Sequence, residues 1–327
     1  MTMNLKSMSI LHRLILIPFL LGLSLDLAGC VYYGPQNVRR ESPPIPSIDP
    51  DYFHTDPSPA PPRILSREVH DGYTIEKLQF QHHVAFLYVP DQIQTAPVII
   101  IHPITQGDYF TERMALYFTR AGFISLRFKS HGHLMLAKNS GDPLTRFESL
   151  LKDDVMDVME GVDWLDGQPF VDRQRIGIIG VSMGAIISSV AVGADPRIRA
   201  GVFILGGGDL AGILLSSSEP TVVSLRNQFK KEENFSPDEL RAEVERRLRN
   251  VDPLTYASRL DPKRTLMIEG YFDHVIKRRY AMALWKAAGK PSMVMLPTGH
   301  YSAALFFDYA QHLALIHFQK VFGQKNK

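Results

Sequence analysis

The sequence predicts an α/β fold with a mostly parallel central sheet and helices on both of its faces. Short, nearly continuous apolar runs alternate with segments of helical periodicity, and the runs close in loops rich in Gly, Pro, Asp or His. The composition of the 327 residues agrees: 45% hydrophobic and 21% charged is globular material, enough for one large core. Lys+Arg number 36 against Asp+Glu 34, which supplies no basic stripe for a phosphate backbone and points away from nucleic acid as a partner. One cysteine leaves no internal disulfide and no Cys-based zinc cluster.

Residues 1–29 stand apart from this fold. Lys6, His12 and Arg13 precede an apolar run at 14–25, too short to span a bilayer as a helix and typical of a signal peptide. Directly behind it, Leu27-Ala28-Gly29-Cys30 resembles the lipobox of bacterial lipoproteins. That resemblance implies cleavage before Cys30 and its acylation, so that the lipid anchors the protein in a membrane. With Val31 rather than Asp next in the chain, it implies the outer membrane of a bacterial envelope. Residues 31–63 hold nine of the 22 prolines and no apolar periodicity, so 30–63 is expected to be an extended tether. The globular domain is then expected over 64–322, with a polar tail at 323–327.

Strands are expected at 84–89, 98–102, 123–128, 176–181, 201–205, 265–269 and 293–296, where the runs are β-branched or aromatic. Helices fall between them at 114–121, 185–192, 281–288 and 306–322. Another ends near Trp164, because Leu151, Val155, Val158, Val162 and Leu165 share one helical face. Residues 210–259 interrupt the alternation and are too long for a structureless loop. Within them Ser236-Pro237-Asp238-Glu239 forms a capping box that opens a helix with Leu240, Val244 and Leu248 on its apolar face. This insertion is either a charged surface helix or a cap over the carboxyl edge of the sheet.

Ligands of such sheets bind at the carboxyl ends of the strands. There Gly180-Val181-Ser182-Met183-Gly184 matches G-x-S-x-G, with a buried strand before it and a helix after it, the strand–turn–helix of a nucleophile elbow. A serine hydroxyl needs a base to take its proton, and the base needs a third group to fix its tautomer. Asp273 and His300 both follow later strands, in Glu269-Gly270-Tyr271-Phe272-Asp273 and Leu296-Pro297-Thr298-Gly299-His300. Asp209 offers a second position for the acid. His102, His131 and His133 lie on the same edge but precede Ser182. His131 and His133 could ligate a metal with a carboxylate, while His82, His83, His312 and His317 read as surface or packing residues.

The order Ser182, Asp273, His300, each just past a strand, resembles the α/β-hydrolase family, in its esterase and dienelactone-hydrolase-like members, over residues 64–322. The resemblance implies an α/β-hydrolase fold and a serine hydrolase with Ser182 as nucleophile, His300 as base and Asp273 as its orienting acid. It implies an acyl-enzyme formed from a small-molecule carboxylic ester, or less readily from an amide or thioester, with no cofactor and no metal. The family also places a second oxyanion donor in an H-G-x-x-G loop. Here that loop is His102-Pro103-Ile104-Thr105-Gln106-Gly107, so the backbone N–H groups of Met183 and Ile104 are the expected oxyanion hole. Arg127-Phe128-Lys129-Ser130-His131-Gly132-His133 departs from the family's usual Asp-x-Arg-Gly. A hydrolase scaffold without activity, serving as an envelope binding or assembly module, is the competing reading.

Overall fold

Alternation along the strands sorts side chains to two faces, and each face acquires its own helices. The computed structural model describes residues 30–35, 52–53, 60–103, 108–129, 142–232 and 235–324. The strands are β1 (Val31–Tyr33), β2 (Arg63–His70), β3 (Tyr73–Gln79), β4 (Val84–Pro90), β5 (Ala96–His102), β6 (Ile124–Phe128), β7 (Val171–Val181), β8 (Ile198–Ile204), β9 (Thr265–Gly270) and β10 (Ser292–Leu296). They form one sheet in the order β1, β10, β9, β8, β7, β5, β6, β4, β3, β2. From β10 to β6 neighbours run parallel. The outer strands on both sides run antiparallel. This is the α/β-hydrolase fold, with a mixed sheet whose centre is parallel.

The helices are α1 (Tyr109–Arg120), α2 (Pro143–Asp166), α3 (Met183–Ala194), α4 (Leu210–Ser216), α5 (Pro220–Glu232), α6 (Pro237–Leu248), α7 (Pro253–Tyr256), α8 (Arg278–Ala287) and α9 (Phe307–Phe322). In β5, Val98 and Ile100 join Leu151, Val155, Val158 and Val162 of α2 in one cluster. Ile99 and Ile101 join Met114 and Phe118 of α1 and Phe318 of α9 in the other. The five α2 residues expected on one face are all buried. Asp142 caps that helix by accepting from the Thr145 N–H at 2.8 Å, with Pro143 at its first position.

Every strand expected from the apolar runs is present, as β4 to β10, and the structure adds three. All eight residues of β2 are exposed, so it carries no buried-face alternation, and its turn into β3 rests on Gly72 at φ +87°. Within the expected tether, Val31–Tyr33 pairs with β10 as an edge strand, and Phe53 is buried beside Tyr256. The insertion packs onto the body of the domain. Its capping box forms with both bonds, Leu240, Val244 and Leu248 are buried, and α6 packs on α2 and α4. Arg247 pairs with Asp142 at the start of α2. Asp252 joins the far end of the insertion to its start, accepting from the N–H groups of Asp209, Leu210 and Leu254. Residues 1–29 lie outside the described residues.

Candidate active site

Strand β7 ends at Val181 and α3 begins at Met183, so Ser182 alone makes the turn, with φ +57° and ψ −118°. A non-glycine residue held there costs on the order of 1–3 kcal/mol and persists because its surroundings fix it. The Ser182 N–H donates to the Ile204 carbonyl at 2.8 Å, which pins the turn to β8. The flanking glycines are required by close approach. A Cβ on Gly180 would lie 2.1 Å from the Gly184 carbonyl oxygen, and one on Gly184 would lie 2.6 Å from that of Pro103.

The turn aims the Ser182 hydroxyl at the loop after β10. Its Oγ stands 2.8 Å from His300 Nε2, and His300 Nδ1 stands 2.6 Å from Asp273 Oδ2. Asp273, in the loop after β9, is buried, and its Oδ1 accepts from the Val275 and Ile276 N–H groups at 2.7 and 2.9 Å. An ionised carboxylate can only accept, so Nδ1 carries the proton and Nε2 is left to accept from the hydroxyl. A hydroxyl, an imidazole and a carboxylate joined this way can pass a proton from Oγ to a leaving group through the ring.

Other residues singled out in the sequence go elsewhere. Asp209 accepts from the Gly212 N–H at 2.9 Å and pairs with Arg241 at 3.0 Å. His102 is buried in β5 with Nδ1 3.2 Å from the Pro103 carbonyl oxygen. Ile104, His131 and His133 lie outside the described residues. His83 is buried against Phe80, with Nδ1 2.9 Å from Asp157 and 3.6 Å from Glu160, which ties the turn before β4 to α2. Burial pushes the Glu160 carboxyl upward.

Glu269 is a neighbour that periodicity gives no reason to select. It is the penultimate residue of β9, buried, and accepts from the Gly206 N–H at 3.3 Å. Burial first, and the Asp273 charge second, push its carboxyl well above the ordinary 4.5. Between 4.5 and its folded value the native protein holds a proton that the unfolded chain has lost, so stability falls as pH rises through that window. Glu269→Gln is expected to flatten this decline, seen as a smaller drop in urea midpoint as the pH is raised from 4.5.

Beside Ser182 and His300 lies a cavity of about 380 Å³. Phe110 and Met114 of α1, Ile186 of α3, Ile213 and Leu214 of α4, and Val275 and Ile276 after β9 make much of its wall, with Glu219 and Thr221 among the few polar groups. The insertion thus builds part of the site.

The family model of the prolyl oligopeptidase family matches residues 144–312, just over half of the chain. No curated protein matches the sequence. Among solved structures, acetyl xylan esterase 1 from a Thermoanaerobacterium species superposes with a TM-score of 0.64 at 20% identity, covering 87% of this chain and 96% of that one. An acetyl xylan esterase from a Paenibacillus species gives 0.61 at 17% identity, over 77% of this chain and 87% of that one. The acylaminoacyl peptidase of Pyrococcus horikoshii gives 0.54 at 17% identity, over 82% of this chain and 50% of that one. These identities establish a common fold. The family match spans the elbow and the loops of Asp273 and His300 alike, and the chain belongs to the prolyl oligopeptidase family, S9, of α/β-hydrolase serine hydrolases.

Proposed function

We propose that the protein hydrolyses carboxylic esters, with Ser182 as nucleophile, His300 as general base and acid, and Asp273 as the group that orients the ring. Ser182 Oγ attacks the ester carbonyl carbon as Nε2 takes its proton. The tetrahedral oxyanion collapses, the ester C–O bond breaks, and the alcohol leaves with the proton from Nε2. Water then attacks the acyl-enzyme, giving its proton to Nε2, and the acid leaves as Ser182 recovers its proton. Met183 opens α3, so its N–H lacks an acceptor within the helix and lies at the positive end of the dipole, where an oxyanion would form. With the N–H of Ile104 it is the oxyanion hole of this reading, each donor worth about 10² to 10³ in rate.

The observation that carries the proposal is the run of short contacts from Ser182 through His300 to Asp273, at 2.8 and 2.6 Å, opening on an apolar chamber. That chamber favours esters over peptides within the family. A peptide would bring amide N–H and C=O groups against a wall of Leu, Ile, Val, Phe and Met with few polar partners. The test is a panel of p-nitrophenyl esters set beside peptidyl p-nitroanilides. Ester turnover at least 100-fold faster is expected, and faster anilide cleavage would assign the protein to the peptidases. We also propose that the lipobox is used, so that the mature chain begins at an acylated Cys30 in a bacterial envelope, at the outer membrane.

The chamber also sets a chain-length preference. Ile213→Trp fills it from α4. Each apolar group lost from such a pocket is worth about 1–3 kcal/mol, so kcat/KM for p-nitrophenyl octanoate is expected to fall about tenfold or more while the acetate ester changes less than threefold.

A further inference from the structure

We propose that the edge of the sheet carrying Ser182 faces a lipid bilayer, and that the substrate is an ester whose acyl chain resides in that bilayer. The inference rests on the ester-hydrolase reading and on the acylation of Cys30.

Its first support is the register of β1. Cys30 is the first of the described residues, and β1 follows it at once. It runs antiparallel to β10 with Val31 opposite Met295 and Tyr33 opposite Met293. Cys30 therefore stands level with the carboxyl end of β10, on the edge from which Ser182, Asp273 and His300 project. No linker separates the anchor from the sheet, so the Pro-rich stretch behind β1 cannot hold the domain off the membrane as a tether would. Strand β1 is four places from β7 in the sheet, which at about 4.8 Å per strand puts the anchor roughly 19 Å from the elbow.

The second support is what that edge exposes. Tyr109 opens α1, Tyr271 and Phe272 lie in the loop after β9, and Tyr301 and Leu305 follow His300. All five are exposed, Leu305 by 86%. Val31 and Tyr32, next to the anchor, are exposed as well. Large side chains of this kind, exposed at the edge on which the chamber lies, mark a surface that meets lipid or protein. The aromatics carry cationic neighbours: Arg278 lies 4.4 Å over the Tyr271 ring, and Arg113, paired with Asp308, lies 5.6 Å from that of Tyr109. Tyrosine with arginine suits the headgroup level of a membrane, where the ring and the stem meet apolar surface and the charge stays wet. The chamber, at about 30 Å³ for a water-sized group, holds about a dozen heavy atoms, the ester end of an acyl chain. An orientation fixed by the anchor lets that end enter without the whole lipid passing through water.

The experiment uses the full chain, processed in a bacterial envelope and reconstituted into vesicles of phosphatidylethanolamine and phosphatidylglycerol. Cys30 is the single cysteine, and the lipid of the lipobox reading blocks its sulfur, so a cysteine introduced by Leu305→Cys can be labelled alone, as can one from Lys263→Cys before β9 at the opposite edge. Brominated lipid is expected to quench a fluorophore at 305 at least threefold more than one at 263. Equal quenching, or stronger quenching at 263, would overturn the proposal. In a second arm, Leu305→Ser with Tyr109→Ser is expected to slow hydrolysis of p-nitrophenyl palmitate dissolved in the vesicles about tenfold, leaving p-nitrophenyl butyrate in solution within twofold. No change on the vesicle substrate, or an unacylated Cys30 in the mass spectrum of the N-terminal peptide, also overturns it. The soluble ester separates the two readings: a parent protein inert toward butyrate sinks the ester hydrolase, and an active one with an unquenched residue 305 sinks the orientation alone.

Discussion

Ser182→Ala is expected to lower kcat for p-nitrophenyl esters by on the order of 10⁴ to 10⁶ and to abolish labelling by a fluorophosphonate. The loss is large because Oγ is the group His300 Nε2 faces, at 2.8 Å, and the residual rate comes from water in a prearranged site. The substitution leaves the fold intact: Ser182 is held by its backbone N–H to Ile204, which alanine keeps, although alanine shares the cost of φ +57°. Circular dichroism and an unfolding free energy unchanged within about 1 kcal/mol in urea serve as the control. Full activity in this variant would remove the serine from the chemistry.

Asp273→Asn is expected to cost about 10⁴ in kcat with little change in KM. The structure gives a specific reason. Two backbone N–H groups, from Val275 and Ile276, converge on Oδ1 and would hold the amide oxygen of an asparagine in that place. The amide NH₂ would then face His300 Nδ1 and donate to it, moving the ring proton to Nε2, where it blocks acceptance from Ser182. The loss should therefore appear in the chemical step and not in binding, which pre-steady-state release of p-nitrophenol measures. A loss confined to KM would mean that Asp273 acts on substrate binding instead.

The central strands and the positions of Ser182, Asp273 and His300 were legible because each rests on a local pattern. A buried parallel strand must be nearly all apolar, and the elbow needs glycine at 180 and 184 where backbones touch. The hydrogen-bonded run joins residues 118 and 27 positions apart, and only the order of strands brings them together. What stayed hidden lacks a local signal. Strand β1 is three residues long beside a Pro-rich stretch, and its partner β10 lies some 260 residues away. Strand β2 is exposed throughout and shows no alternation. The chamber draws its wall from α1, α3, α4 and the loops after β9 and β10, so no single segment announces it. Glu269 reads as a polar residue at a strand end, and only its burial beside Asp273 makes its charge state matter.

The most direct test of a Ser182 acyl-enzyme is to mix the protein with p-nitrophenyl octanoate, quench in acid within the burst, and locate the octanoyl group by peptide mass spectrometry. The adduct is expected on the peptide that contains Ser182 and absent from the Ser182→Ala protein. An octanoyl group on another residue, or steady turnover that leaves no adduct on any peptide, would contradict it.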